Sequence, residues 1–217
     1  NLADPVADFS AVKTTVNNTQ TLFSNAIASL ENLGLSGDIG NVPSSNPWQV
    51  PKLDGSTVSF GPDNASITPD KRYIAFADSS DGWVDGDYNG LTDIFVHDQE
   101  TGTTELVSFS FDGDQANGAS YLPNISDDGR YITFTSDASN LVEGDTNQVK
   151  DIFVHDRETG TTELISAHSN GTQPNNPFYY DHSISADGRY VAFSSHATNL
   201  VNSDNNGQED IFIHDRQ

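Results

Sequence analysis

The 217-residue chain contains no cysteine and no methionine, and it has few basic residues. Without cysteine, neither a disulfide framework nor a thiolate metal site can form. No apolar run approaches the roughly 18 residues that a transmembrane helix requires, so the sequence predicts no membrane span. The chain begins at Asn1 rather than Met, which we interpret as processing that would already have removed any secretion signal.

Acidic residues greatly outnumber basic ones. Lys and Arg number 9 against 32 Asp and Glu, which gives a formal net charge of −23 at pH 7. Because phosphate backbones are bound through basic faces, this balance argues against nucleic acid as a partner. Of the acidic residues 25 are Asp and only 7 are Glu, a bias that favours turns and metal-binding loops over surface helices.

One segment of the chain occurs three times. The hexapeptide Asp-Ile-Phe-Val-His-Asp at residues 93–98 recurs at 151–156 and, with Ile in place of Val, at 210–215. Each copy follows a second shared stretch that begins with Arg-Tyr and ends with Phe, and Thr-Gly-Thr-Thr-Glu-Leu follows the first two copies. Self-similarity at a fixed period predicts a repeated supersecondary unit.

Each repeat is predicted to form four short antiparallel strands. Enrichment in β-branched and aromatic residues indicates strands, and the Asp-Gly pairs at 128–129 and 187–188 are hairpin signals. The predicted fold class is therefore mainly β, with about three four-stranded β-propeller blades and an N-terminal α-helix. The predicted blades are residues 61–109, 118–168 and 177–217, and the third blade lacks its last strand.

The first 35 residues have a different pattern. Asp4 and Pro5 match an N-cap and a first helical position, and Gly34 matches a helix stop. Steps of three and four separate the small or apolar residues Phe9, Val12, Val16, Thr19, Phe23, Ala26, Leu30 and Leu33, which is a heptad seam. The predicted helix (1–35) could pack on its own blades or associate with another chain. Residues 36–55, rich in Gly, Ser, Asn and Pro, are predicted to be a linker.

Closure of the propeller is predicted to need a second copy. Residues 56–60 resemble the fourth strand of a blade and are predicted to be a detached strand. Three blades are fewer than the roughly 4–8 of closed propellers, so a monomer would leave a strand edge unpaired. We therefore expect a homo-oligomer, joined through the helix and strand 56–60 into a ring or filament. A protein or glycan partner is a further expectation.

An acidic loop precedes the third strand of every repeat. Oxygen-bearing side chains recur there at alternate positions, a spacing with which Ca²⁺ collects its roughly 6–8 oxygen ligands. The alternative is that these residues form Asx turns and bind nothing. The sequence predicts one set of five calcium ligands in each loop, and the fourth residue of each set would contribute its backbone carbonyl. The three sets are Asp85, Asp87, Asn89, Leu91 and Asp93; Glu143, Asp145, Asn147, Val149 and Asp151; and Asn202, Asp204, Asn206, Gln208 and Asp210.

These motifs together resemble the TolB-like β-propeller repeat, the Pro-Asp type related to WD repeats. The matching stretches are Ser-Ala-Asp-Gly-Arg-Tyr-Val-Ala-Phe at 185–193, Asn-Leu-Val at 140–142, and residues 145–160. The resemblance extends over about residues 57 to 217 and leaves out the N-terminal helix. It implies a propeller fold and a secreted or periplasmic binding or scaffolding role, and it implies no particular activity.

The function predicted from the sequence is that of a calcium-binding extracellular repeat protein with a structural, assembly or interaction role. His97, His155 and His214 occupy equivalent positions and are predicted to fill a structural slot, so no catalytic residue is assigned. The alternative is a propeller enzyme, such as a polysaccharide hydrolase or lyase or the propeller of a peptidase. Its candidate residues would be unique to one repeat: Trp83, His168, Tyr179, Tyr180 and His182.

Overall fold

The computed structural model describes residues 48–53, 55–60, 64–177, 182–202 and 204–217. The predicted N-terminal helix lies outside these ranges, as do Tyr179 and Tyr180. Nothing within the ranges forms a helix able to cross a membrane. The secondary structure there consists of thirteen strands: β1 (Trp48–Pro51), β2 (Thr57–Phe60), β3 (Ala65–Ile67), β4 (Tyr73–Asp78), β5 (Asp93–Asp98), β6 (Thr103–Leu106), β7 (Ser120–Ile125), β8 (Tyr131–Ser136), β9 (Asp151–Asp156), β10 (Thr161–Leu164), β11 (His182–Ile184), β12 (Tyr190–Ser195) and β13 (Asp210–Asp215).

Consecutive strands pair into three antiparallel sheets, one for each repeat. Blade one contains β3 to β6, blade two contains β7 to β10, and blade three contains β11 to β13. The register is the same in each, since Phe76 pairs with Phe95, Phe134 with Phe153, and Phe193 with Phe212. The mainly β repeat architecture is thus confirmed, and in the described residues the third sheet has three strands.

The segment predicted to be a detached strand forms a hairpin instead. β2 pairs with β1, which lies in the predicted linker, and Val50 faces Val58 in the register. Lys52 N–H donates to the Ser56 carbonyl at 2.7 Å and so closes the turn. Val50 is fully buried beside Ile74 and Phe76 of blade one. The hairpin therefore covers one face of blade one, as a preceding blade would.

Strands inside the stack are buried on both faces. In β5, Ile94 and Val96 pack with residues of blade two, whereas Phe95 packs on the opposite face with Trp83. This stacking is why the third strand of each repeat is a continuous apolar run rather than an alternating one. In β13, by contrast, Ile211 and Ile213 are 44% and 56% exposed.

Blades one and two are joined by a set of contacts that we call the inter-blade clamp. The guanidinium carbon of Arg157 in blade two lies 4.4 Å from the ring centroid of Tyr73 in blade one. The same arginine donates from Nη1 to the Gly129 carbonyl at 2.6 Å and pairs with Glu105. Gly129 sits against the Tyr73 ring, so closely that a Cβ there would lie under 3.0 Å from three ring atoms.

Blade three repeats the clamp on blade two. Arg216 lies 4.3 Å from the Tyr131 ring centroid, and its Nη1 is 2.6 Å from the Gly188 carbonyl oxygen. Its Nε pairs with Glu163 Oε2 at 2.9 Å. Because both interfaces use equivalent residues, the acidic loops occupy equivalent places in successive blades.

Candidate cation-binding loops

The acidic loops span residues 85–93, 143–151 and 202–210, and each links the second strand of a blade to the third. In every loop the asparagine side chain accepts a hydrogen bond from the backbone N–H two residues further on, which is an Asx turn. The distances are 2.8 Å for Asn89 and Leu91, 3.2 Å for Asn147 and Val149, and 2.8 Å for Asn206 and Gln208. All three loops therefore contain the turn that the sequence offered as an alternative to calcium binding.

The first loop buries two carboxylates. Asp87 is 6% exposed and Asp93 is 1% exposed. Burial raises the pKa of both groups, and the negative charge of Asp93 raises the pKa of Asp87 further. Ser108 Oγ donates to Asp93 Oδ1 at 2.6 Å. The two neighbouring buried carboxylates concentrate negative charge in this loop, so a bound cation would be stabilising.

The second carboxylate oxygen of Asp93 distinguishes this loop. Oδ2 is buried and has no hydrogen-bond partner among the described residues. The Asn89 side chain also hydrogen-bonds the Asp93 carboxylate and so lowers its pKa, and its Nδ2 donates to the Ala116 carbonyl at 3.4 Å. An unpaired buried carboxylate oxygen is costly, and a hard cation is a ligand that would offset this cost.

The second loop also buries two carboxylates, Asp145 and Asp151, and it satisfies both oxygens of Asp151 internally. Ser166 Oγ donates to Asp151 Oδ1 at 2.7 Å, and Asn147 Nδ2 donates to Oδ2 at 2.9 Å. Burial raises the pKa of Asp151 to about 6, against the opposing effect of these two hydrogen bonds. A cation binding to Oδ2 would have to displace the Asn147 amide.

The third loop is more open. Asn206 Nδ2 donates to both oxygens of Asp210, at 3.2 and 2.9 Å. Asp204 and Asp210 are half-buried, whereas Asn202 is exposed. In blades one and two, Ser108 and Ser166 donate to the equivalent aspartates, Asp93 and Asp151. The described part of blade three includes no such serine beside Asp210.

The structure thus brings together only part of each predicted ligand set. Asp87 lies near Asp93, and the asparagines of loops two and three contact Asp151 and Asp210. Asp85 and Glu143, at the first position of their loops, are exposed. Within the described ranges, no group of three or more His, Asp or Glu side chains is arranged to hold a metal. A cation in loop one would need asparagine and backbone carbonyl oxygens besides the two carboxylates.

Two residue types that shape the loops were missed in the sequence. One is the serine that follows the fourth strand, Ser108 or Ser166. The other is a glutamine from the connection between blades. Gln115 Nε2 donates to the Gly86 carbonyl at 2.7 Å, and Gln173 Nε2 makes the equivalent bond at 3.0 Å. The recurring pattern Gly-x-Gln-x-Asn at 113–117 and 171–175 was the signal that could have identified the glutamines.

Ser166→Ala is expected to destabilise the protein by about 2 kcal/mol, because buried polar groups lose their partner. Ser166 Oγ donates to Asp151 and also accepts the Ile152 N–H at 3.0 Å. Urea denaturation would measure the loss. Ser169→Ala, a substitution at an exposed site, serves as the control and should change the free energy of unfolding little. Equal effects of the two substitutions would show that the buried hydrogen bonds are unimportant.

Of the five residues proposed for an enzyme, the structure describes Trp83, His168 and His182. Trp83 is 1% exposed and belongs to the core, with its ring centroid 4.6 Å from that of Phe76. A cavity of about 520 Å³ borders blades one and two, and its lining includes Asp78, Tyr121 and Lys150 but no histidine.

Two of the three repeated histidines, His97 and His155, make equivalent contacts in their blades. His97 Nδ1 lies 3.0 Å from Thr104 Oγ1, and His155 Nδ1 lies 3.1 Å from Thr162 Oγ1. Burial lowers the pKa of both histidines, which favours their neutral forms. Each therefore pairs with the fourth strand of its own blade.

Several solved structures are similar to this chain at low sequence identity. TolB from Acinetobacter baumannii is 18% identical with a TM-score of 0.44, and the match covers 74% of this chain and 31% of that one. The β-propeller domain of the trilobed protease from Pyrococcus furiosus is 17% identical with a TM-score of 0.43, covering 70% and 38% of the two chains. A putative TolB from Agrobacterium tumefaciens is 14% identical with a TM-score of 0.35, covering 78% and 76%.

The chain spans less than two fifths of the length of the first two of these structures. No protein-family model and no curated protein matches the sequence. The described residues define the class of the protein through their own geometry, since stacked antiparallel sheets with a shared register are β-propeller blades.

Proposed function

We propose that this chain is a calcium-binding β-propeller-repeat protein that acts outside the cytoplasm in a structural or interaction role. Calcium would be structural and would join the second and third strands of a blade through the acidic loop. Copies of the chain would associate through surfaces that the blades leave uncovered. The site that best supports calcium binding is loop one, where Asp87 and Asp93 would supply carboxylates and Asn89 a side-chain oxygen.

The observation that carries the proposal is the buried, unpaired Asp93 Oδ2. Asp93 is held in place by Ser108, so its carboxylate cannot reorient without breaking a buried hydrogen bond. Asp87 adds a second buried negative charge nearby. The net charge of −23 supports the same proposal, because bound divalent cations would reduce repulsion among the acidic groups.

Calcium is expected to raise the melting temperature of protein first stripped with EDTA. A ligand at a hundredfold excess over its dissociation constant stabilises a protein by about 2.7 kcal/mol, which corresponds to roughly 5–10 °C for a chain of this size. Calorimetry at pH 7 with and without Ca²⁺ would measure the shift. Titration calorimetry on the same stripped protein would measure the number of sites.

Matched variants test whether the shift comes from loop one. Asp87→Asn and Asp93→Asn keep the side-chain shape but remove one charge each, and both should reduce the calcium-dependent shift. Asp127→Asn removes a charge from an exposed position outside the loops and should retain the full shift. An identical melting temperature in EDTA and in saturating Ca²⁺ would refute the proposed calcium site.

A further inference from the structure

The cavity that borders blades one and two has a volume of about 520 Å³, within the roughly 300–1,000 Å³ of small-molecule sites. Asn64, Asp78 and Thr92 line it from blade one, and Tyr121 and Lys150 line it from blade two. Both blades are four-stranded sheets in the described residues. The walls of the cavity therefore come from two neighbouring blades and do not depend on blade three.

Asp78 carries a charge that the repeat itself does not require. It ends β4 at the position that serine occupies in the other two blades, Ser136 and Ser195. Each serine accepts a hydrogen bond from the backbone N–H two residues further on, and Asp78 Oδ1 accepts the same bond from Ser80 at 2.7 Å. The Trp83 indole N–H also donates to Oδ1, at 3.1 Å. A carboxylate is thus fixed at the cavity wall where a serine would suffice for the fold.

Lys150 is likewise unique to its repeat, since the equivalent residues are Thr92 in blade one and Glu209 in blade three. Its Nζ lies 4.2 Å from the Tyr121 ring centroid and 3.7 Å from Asp137 Oδ2. Burial, the charge of Asp137 and a hydrogen bond to that carboxylate raise the pKa of the Tyr121 hydroxyl. The ammonium of Lys150 is therefore already paired with a carboxylate and an aromatic ring.

The backbone next to Tyr121 adopts a conformation that is rare for its residue type. Leu122 has a φ of +54°, although the proline that follows it favours an extended backbone. The pairing of β7 with β8 shifts between Tyr121 and Asn124, which is a β-bulge, whereas β3 pairs with β4 without a shift. Bulges and strained residues of this kind re-aim side chains and are common beside binding sites.

We propose that this cavity binds a neutral saccharide unit, either a free sugar or one residue of a glycan. The Asp78 carboxylate would accept hydrogen bonds from neighbouring sugar hydroxyls. Asn64 and Thr92 would bond further hydroxyls, because amide and hydroxyl side chains both donate and accept. Lys150 would donate to a sugar oxygen while it stays paired with Asp137. This ligand deepens the interaction role proposed above and rests on it, but it requires neither calcium nor association of copies.

The charges around the cavity favour a neutral ligand over a charged one. An anion would face the Asp78 carboxylate in a chain whose net charge is −23, so it would be repelled. A zwitterionic amino acid would need an unpaired cation for its carboxylate, but Asp137 already pairs with Lys150. Sugar hydroxyls carry no charge and match the mixture of acceptors and donors in the wall.

The test is an NMR titration of the isotope-labelled intact chain in EDTA. The probes are glucose, galactose and mannose, each as the free sugar and as its methyl glycoside, and the zwitterion alanine. The backbone amide signals of Ser79, Tyr121 and Lys150 should shift saturably with at least one sugar, with a Kd of about 10 mM or less. The comparison of the two forms of each sugar distinguishes a free sugar from a unit of a glycan.

Matched variants place the binding in the cavity. Asp78→Ser and Lys150→Thr give each position the residue of an equivalent blade, so the fold should be kept while the affinity falls by roughly tenfold or more. Glu209→Thr makes the corresponding change in blade three, at an exposed position outside the cavity, and should retain the wild-type affinity. Urea denaturation would verify that all three variants are folded.

Saturable shifts that weaken in Asp78→Ser and Lys150→Thr but not in Glu209→Thr would support the proposal. The absence of any shift with about 50 mM of every sugar would overturn it. Equal affinity in all three variants would also overturn it, as would shifts caused by alanine and by no sugar. Because EDTA is present throughout, sugar binding and the calcium-dependent rise in melting temperature succeed or fail separately.

Discussion

Gly129→Ala is expected to destabilise the protein by about 3 kcal/mol or more, because it adds both backbone strain and a steric overlap. Gly129 has a φ of +73°, a region that costs an L-residue free energy. Its Cβ would also meet the Tyr73 ring of blade one. That ring cannot move freely, since Arg157 of blade two lies over it. The loss would appear as a lower midpoint in urea denaturation.

Gly160→Ala is the matched control for this prediction. Gly160 has a φ of +69°, nearly the same as that of Gly129, but a Cβ there would meet nothing within 4 Å. Its cost should therefore be about 1 kcal/mol, from backbone strain alone. Trimming the ring in a Tyr73→Ala background should reduce the cost of Gly129→Ala towards that of the control. If Gly129→Ala and Gly160→Ala cost the same, the close packing of the inter-blade clamp would be disproved.

In calcium-free solution, the wild type is expected to lose stability relative to Asp151→Asn as the pH rises from about 4 to about 7. The folded protein holds the Asp151 carboxyl at a pKa of about 6, against an ordinary value of 3.8. Between these values the folded state keeps a proton that the unfolded state releases, so the free energy of unfolding falls with rising pH. The full effect is about 3 kcal/mol and is complete just above pH 6.

The comparison with Asp151→Asn removes the contributions of other titrating groups. Burial lowers the pKa of His97 and His155, so they add stability as the pH rises through the same range. Arg130 lowers the pKa of Asp156 to about 2, so its stabilising effect is lost only below the ordinary value of 3.8. Urea denaturation of both proteins at several pH values in EDTA would measure the difference. A difference that stays constant between pH 4 and 7 would contradict a raised pKa at Asp151.

The same measurements in saturating Ca²⁺ test loop two as a cation site. If Ca²⁺ binds Asp151, it should restore wild-type stability at pH 7 and have little effect at pH 4, where the carboxyl is protonated. If the Asn147 amide keeps its place on Asp151, the pH dependence should be the same with and without Ca²⁺. This result would leave loop one as the candidate that the structure favours.

Much of the fold could be predicted from local residue patterns. The Asp-Gly pairs at 128–129 and 187–188 identified hairpin turns correctly, because few residues other than glycine adopt a positive φ. The apolar run Ile152-Phe153-Val154 predicted a strand buried on both faces, which stacked blades provide. The order of the strands within each sheet also followed the order of the repeated motifs along the chain.

The hairpin of β1 and β2 was not predictable in the same way. The segment 48–51 includes Pro51, directly follows Pro47 and has none of the repeated motifs, so its sequence predicts a linker. It forms a strand because Val50 finds a buried place against blade one. The pairing of β1 with β2 depends on tertiary packing, which cannot be predicted from the strand propensity of the local sequence.

For the part of the chain that the structure describes, the sequence alone determined the three repeated sheets, their turns and the positions of the acidic loops, since each follows from a repeated local pattern. Only the tertiary structure decided which loop has an unsatisfied oxygen. Asp93 and Asp151 occupy equivalent positions in nearly identical repeats. Asn147 Nδ2 donates to Asp151 Oδ2 at 2.9 Å, whereas Asn89 Nδ2 also donates to the Ala116 carbonyl and Asp93 Oδ2 lacks a partner among the described residues. A contact with the connection between blades depends on how the blades stack, and side-chain hydrogen bonds are sensitive to differences of a fraction of an ångström.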